Sequence, residues 1–497
     1  MTSSTQHDSK QYKPSFLTLK QLTMVTLCTF LMSSCALFST APPLATKSEM
    51  PSAIILQNAD LFSGNPDDPV RESQSILIRN GNIERISSQE IVLEGAKVID
   101  GTGKMIIPGL IDMHVHTQGP GTPMWMMRVP DDTLVDRNLS AFLYSGVTTV
   151  FDMGAPIDDI QKSVQRVTEA DKVNPRIFYA GPMISKRNGH PSYMMKESFP
   201  WPASSFAVSK LVGSVDDADD IIGYIDEYKS KGSSMTKIVI DQIPLGIPSL
   251  SVEEAAVAVE HSKQLGLKVG AHIGSEADLI TGMDAGVDYF VHGVYRSSVS
   301  DQTIARMKAE KITMAPTLIV FNQMDRLFQS KLSFGAMDKE ILENDLLESY
   351  NNPPSGLKLE DQKAEIQNYV HELNVFKDQK FDNIKRMKAA GIRILAASDS
   401  PNVGNVAGSS LHDELQMLVE KCGFTPVEAI AAATYLSGRY LEELNLTRGL
   451  GYIAEGAKAD LLMLDGDFRE DINNTRKISM VIADGKVVER ESIIAKH

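Results

Sequence analysis

Cysteine is scarce: the 497-residue chain holds three, at positions 28, 35 and 422. A disulfide-stapled scaffold is excluded, and the fold must rest on a hydrophobic core, which this length allows. An excess of positive charge is also missing. Lysine and arginine number 49 against 64 acidic residues, the formal charge is −15, and no basic run occurs. Nucleic acid and anionic lipid surfaces are poor partners for such a chain. No apolar run is long enough to cross a bilayer, and the stretch from Leu22 to Met32 falls well short. What is present is ordinary for a globular protein, 42% hydrophobic and 23% charged residues. The length exceeds one usual domain and suits a large α/β barrel with a smaller domain attached.

The first 34 residues read as a signal peptide. Lys10, Lys13 and Lys20 precede the short apolar run, and Ser33-Ser34 leads into Cys35. The ending Met32-Ser33-Ser34-Cys35 resembles a bacterial lipobox, with Met32 where leucine is usual, so Cys35 is the expected lipidation site. The competing reading is a plain secretory signal with an incidental cysteine. Cys28 would leave with the signal, and Cys422 alone has no partner for an internal disulfide. Ala36, rather than an aspartate, follows the cysteine. By analogy with Gram-negative lipoproteins, this directs the exported protein to the outer membrane, facing the periplasm or cell surface. The membrane is then met only through the lipid anchor. Residues 35–52, with Pro42-Pro43 and Pro51, read as a tether.

Both ends of the remaining chain are rich in β signals. Ala53–Leu56, Ser75–Arg79 and Asn82–Ile86 are short apolar runs, the last two joined by the hairpin pair Asn80-Gly81. Ala459–Leu464, Ile478–Ile482 and Lys486–Val488 repeat the style, with Asp484-Gly485 as the turn. Residues 53–107 and 447–492 are expected to form one composite β domain. Between them, in 108–446, short β runs alternate with helical patterns: Val147–Val150, Arg176–Ala180, Lys237–Ile240, Leu267–Ala271, Tyr289–Val291, Ile312–Ala315 and Ile392–Ala396. The capping box Ser251-Val-Glu-Glu254 opens one of the helices, and Gly266 ends it. With the run before His114, about eight repeats result, the number of a (β/α)8 TIM barrel. A long acidic helical insertion, 317–391, interrupts the rhythm and reads either as a lid or as rim decoration and an oligomer contact.

The chemistry concentrates at strand ends. Pro108-Gly-Leu-Ile-Asp-Met-His114-Val-His116 is an apolar strand ending in two histidines at i and i+2, which share one face. They can grip one ion, but zinc wants about four ligands, or about three plus water. Further candidates follow in order: Lys237 before Ile-Val-Ile, His272 after Val269-Gly-Ala, His292 after Phe290-Val, and Asp399 after Leu395-Ala-Ala-Ser. One histidine at a strand end is usually a hydrogen-bonded core residue. Four of ten so placed, with an aspartate, point to a metal site at the C-terminal face of a barrel.

This pattern resembles the amidohydrolase superfamily, in its branch of imidazolonepropionase-related enzymes and metal-dependent dipeptidases. The resemblance spans Ile107–His116, Gly146–Gly154, Ala271-His272, Asp284–Asp288, His292-Gly293, Ala397–Asp399 and the tail Gly451–Leu461. It implies that His114, His116 and Asp399 hold one metal and His272 with His292 a second. Lys237 matches a lysine that is carbamylated by CO2 and bridges the two. Two Zn2+ per chain are expected, imidazole-rich sites suiting that ion. The resemblance also implies attack by a hydroxide shared between the metals, with Asp399 as general base and then acid. His190, in Lys186-Arg-Asn-Gly-His190-Pro, matches a histidine that touches the substrate. Leu250 stands where dipeptidase-like relatives often carry tyrosine.

The expected function is hydrolysis of a C–N bond in a small molecule such as a dipeptide or N-acyl amino acid. The alternatives are a mononuclear imidazolonase or deaminase, and a non-catalytic binding lipoprotein. Deaminases of this type place glutamate three residues after the fifth-strand histidine, where Ser275 stands here and Glu276 follows. Lys186, Arg187 and Arg296 are candidate partners for a substrate carboxylate. His412, His261 and His371 read as packing or surface residues.

Overall fold

Short parallel strands, most of them buried on both faces, build the centre of the molecule, as apolar runs such as Leu110–Val115 and Val147–Asp152 require. The computed structural model describes residues 48–49 and 53–493, apart from 124, 127–132, 171, 199, 330 and 353–363. The expected signal peptide and Cys35 lie outside the described residues.

Eight parallel strands follow one another around a barrel: Leu110–Val115, Val147–Asp152, Arg176–Tyr179, Thr236–Val239, Val269–His272, Tyr289–Val291, Thr313–Ala315 and Arg393–Ile394. The third breaks at Gly181-Pro182 and resumes as Met183–Lys186, which pairs with the fourth through Ile184 and Ile238. Its other edge takes Val212–Val215, a strand not anticipated from the sequence. Ser234 N donates to Tyr179 O at 2.8 Å, closing the gap between the third and fourth strands. The eighth strand meets the first through Met113 N to Ala396 O (3.2 Å), Asp399 N to His114 O (2.8 Å) and His116 N to Ser400 O (3.0 Å). The barrel therefore closes at His114, His116 and Asp399.

A nine-stranded sheet draws on both ends of the chain. Met105–Pro108 pairs antiparallel with Leu461–Leu464, which continues into Ile478–Ala483 and Lys486–Val488. The residues Asn80-Gly81 and Asp484-Gly485 all have positive φ, the left-handed turn geometry that matches the twist of a hairpin. Met105–Pro108 runs through Gly109 directly into the first barrel strand, so this sheet sets the entry direction of the strand bearing His114 and His116.

Helices Leu318–Phe328, Ala336–Ile341, Asn344–Asn351 and Ala364–Val375 follow the seventh strand. Gln379–Ala390, within the stretch read as insertion, instead packs on Asp301–Ala309 as a helix of the barrel's own ring. The repeat needs a helix before its last strand, which narrows the extra segment.

Candidate active site

The first strand carries His114 and His116 to the barrel mouth, with their Nε2 atoms 3.2 Å apart. Asp399 Oδ1 stands 3.3 Å from His114 Nε2 and 3.0 Å from His116 Nε2. His114, His292 and Asp399 each place a ligand atom within 4.8 Å of the others. The His272 ring lies 3.9 Å from that of His292 and 5.0 Å from that of His190, centroid to centroid. Lys237 is the second residue of its strand rather than the last, but its charge acts on Asp399 and on the buried imidazoles. The structure thus brings all seven expected residues of the metal and substrate site to one end of the barrel.

Burial sets the protonation states. His114, His272 and His292 are held well below the usual histidine pKa, by burial first and then by neighbouring positive groups. Burial pulls His190 down to about 3 and Lys237 to about 7. Neutral imidazole is the metal-binding form, and a neutral amine is the form that reacts with CO2. The His116 side chain is 22% exposed and His190 is half-buried, so the mouth lies on their side.

The local backbone is strained to make this cluster. His292, Thr317 and Asp399 have φ of 75°, 46° and 57°, left-handed values that side chains with a Cβ rarely adopt. Thr317 Oγ1 lies 2.9 Å from His292 Nδ1. Asn402 Nδ2 donates to Asp399 Oδ2 at 3.2 Å. Gly154 gives His116 room, since a Cβ there would lie 2.7 Å from its ring.

Two further carboxylates brace the site. Asp112 accepts from the Ser398 hydroxyl, from Ser398 N at 3.0 Å and from His114 N at 3.2 Å, and burial raises it to about 7. Asp152 accepts from Thr117 N and Oγ1 and from Gly154 and Ala155 N, at 2.6 to 2.9 Å. Their neighbours in sequence pointed to the site, but only the fold supplies their partners. Lys186, Arg187 and Arg296 are each paired with carboxylates of the chain itself: Glu254, Asp216, and Asp241 with Asp278.

A metal fits this donor set. Lys237 Nζ and Asp399 Oδ1 are buried without a hydrogen-bond partner, although the Nε2 atoms of His114 and His116 crowd Asp399 Oδ1 at 3.3 and 3.0 Å. Such orphaned groups are costly unless something else satisfies them. A cation held between them would.

The amidohydrolase family matches residues 105–488. The chain belongs to that family. It is therefore an enzyme, a hydrolase acting on carbon–nitrogen bonds, on a TIM-barrel fold. The enamidase of Eubacterium barkeri is 31% identical over 109 residues, 22% of this chain and 26% of that enzyme. Among solved structures, a Xaa-Pro dipeptidase with bound methionine in its active site superposes with a TM-score of 0.69 at 21% identity, over 88% of this chain and 99% of that one. A prolidase described from Bifidobacterium longum gives 0.66 at 21% identity, over 90% and 95%. These two likenesses concern the fold.

Proposed function

We propose that this amidohydrolase cleaves the amide bond of a small substrate such as a dipeptide or N-acyl amino acid, using two metal ions, Zn2+ by donor chemistry. The observation that carries the reading is the orphaned set around Asp399, above all the buried, unpartnered Nζ of Lys237. His114, His116 and Asp399 would hold one ion, His272 and His292 the other, and carbamylated Lys237 would join them. When bound, such ions polarise a carbonyl and make water acidic enough to supply a nucleophile near neutral pH.

The chain's own residues do the rest. Asp399 Oδ1 faces the two imidazoles, while Oδ2, oriented by Asn402, is free to take a proton from water and return it to the leaving nitrogen. His190, beside His272 and with an unpartnered Nδ1, would hold the substrate carbonyl or carboxylate. The burial of His114, Lys237, His272, His292 and Asp399 keeps bulk water from their reactive atoms.

The mononuclear deaminase reading is disfavoured by the groups after His272. Ser275 caps the helix Glu276–Asp284, and Glu276 is spent on Ser300 N and Thr303 Oγ1. Metal analysis of the purified protein, joined to a screen of dipeptides and N-acyl amino acids, tests the proposal. About two metals and amide turnover support it; one metal, with turnover of cyclic substrates alone, refutes it. Lipidation at Cys35 and outer-membrane location remain proposals resting on the N-terminal sequence. Cys35→Ala should release the protein from membranes or block its maturation, and unchanged membrane fractionation would refute the anchor.

A further inference from the structure

We propose that Asp241 is a positioning residue that fixes His272 for metal binding, and that Arg296 ties this pair to the helix Ala364–Val375 beyond the seventh strand. The inference rests on the metal-hydrolase reading above. Asp241 follows the fourth strand by two residues and is buried. Its Oδ2 lies 3.2 Å from His272 Nε2 and accepts from the Tyr295 hydroxyl at 2.7 Å, while Oδ1 accepts from Arg296. A neutral His272 that donates from Nε2 keeps its lone pair on Nδ1, and the ring is locked in that tautomer. Carboxylates that grip the far nitrogen of a ligating histidine orient the ring and strengthen it as a donor.

The surroundings are built around this carboxylate. A Cβ on Gly274 would lie 2.4 Å from Asp241 Oδ2 and 2.7 Å from Arg296 Nε, so only glycine lets the pair sit against this backbone. Tyr295 N and Arg296 N both donate to Gly274 O, at 3.0 and 2.9 Å, lacing the loops after the fifth and sixth strands together. Arg296 also faces Asp278 Oδ2 at 3.3 Å and Glu372 Oε2 at 3.7 Å. One guanidinium among three carboxylates leaves negative charge beside His272, which favours a cation there. Glu372 belongs to the helix Ala364–Val375, and Tyr369 of the same helix packs in one cluster with Tyr295, which stacks on Phe321 at 3.8 Å. The path Glu372–Arg296–Asp241–His272 therefore runs from that helix to the metal centre.

The test strips the full-length protein with a chelator and reloads it with Co2+ alone. It reads Co2+ affinity by competition with a chromogenic chelator, the visible Co2+ absorption, and the thermal midpoint of the metal-free protein. Asp241→Asn should weaken Co2+ binding by about 10–100-fold and change the absorption. Tyr295→Phe and Glu372→Gln should shift affinity in the same direction by less. Asp278→Asn, which also frees Arg296 but does not touch His272, should shift affinity no more than Glu372→Gln does and leave the absorption as in the parent. Parent-like Co2+ binding and absorption in Asp241→Asn overturn the assignment, as does an equal loss in Asp278→Asn. Should Asp241→Asn fail to fold, Tyr295→Phe decides by the same criteria. A parent that takes up no Co2+ overturns the metal-hydrolase reading itself.

Discussion

Buried histidines occur in two settings in this molecule, and the difference between them separates scaffold from site. His412, in the helix Ser409–Glu420, donates from Nε2 to Ser145 O at 2.8 Å and has Nδ1 2.9 Å from Thr475 Oγ1. Both ring nitrogens are used, and the residue fastens the helix to the end of the helix Leu134–Tyr144 and to the C-terminal segment. His114 is as deeply buried, yet its Nδ1 has no partner and its Nε2 faces a carboxylate and another imidazole. Both rings are neutral because burial opposes their charge. Burial alone therefore does not mark a functional histidine. Unspent hydrogen-bonding capacity, gathered in one place and held by left-handed backbone, does.

The comparison breaks most sharply at the groups given proton and metal roles. Asp399→Asn keeps an oxygen for the metal but cannot carry a proton at neutral pH. Its kcat should fall by roughly 100-fold or more while much of the metal remains. Near-normal turnover, with metal content measured on the same preparation, would refute the role. Lys237→Ala should lose metal and activity together and regain part of both with short carboxylic acids that replace the bridging anion. Full loading without rescue would remove the carbamate.

Thr317→Val probes a smaller effect. It deletes the hydroxyl beside His292 Nδ1 while keeping shape, and metal affinity should drop about 10-fold, read by chelator competition. His412→Ala should do the reverse. Metal content should stay at the parental level, while stability falls by about 1–3 kcal/mol as Ser145 O and Thr475 lose their partner. Metal loss in this variant would erase the distinction between the two settings.

The same comparison can be made in pH. His412 titrates at about 3 when folded, against an ordinary value of 6.5, so the unfolded chain binds the proton first. Its contribution to stability is full above pH 6.5 and is lost as pH falls towards 3. In metal-free protein, denaturant midpoints between pH 7 and 4 should decline less steeply for His412→Ala than for the parent. Identical slopes would show that other groups carry the acid sensitivity.

Much of the site could be read along the chain because its ligands sit at strand ends. His114, His116, His272, His292 and Asp399 each close an apolar run, and a barrel gathers such positions at one face. Both hairpin turns were legible for a similarly local reason, since few residues other than Asn, Asp and Gly tolerate two left-handed conformations in succession. The bracing groups were not legible. Asp241 sits among residues that give no hint of His272, Tyr295 or Arg296, which arrive from 31 to 55 positions away. The split third strand and Val212–Val215 were hidden as well, because Met183–Lys186 and Val212–Val215 each carry only two apolar residues.

The sequence by itself determined the period of the barrel, its apolar strands and the identity of the groups at their ends, all of which depend on spacing within one segment. Tertiary structure alone decided which of the buried polar groups were satisfied. Asp112 and Asp152 found donors, His412 found two partners, and Lys237 Nζ and His114 Nδ1 were left with none. A hydrogen bond acts over about 3 Å, and whether a partner stands within that reach depends on how distant segments pack.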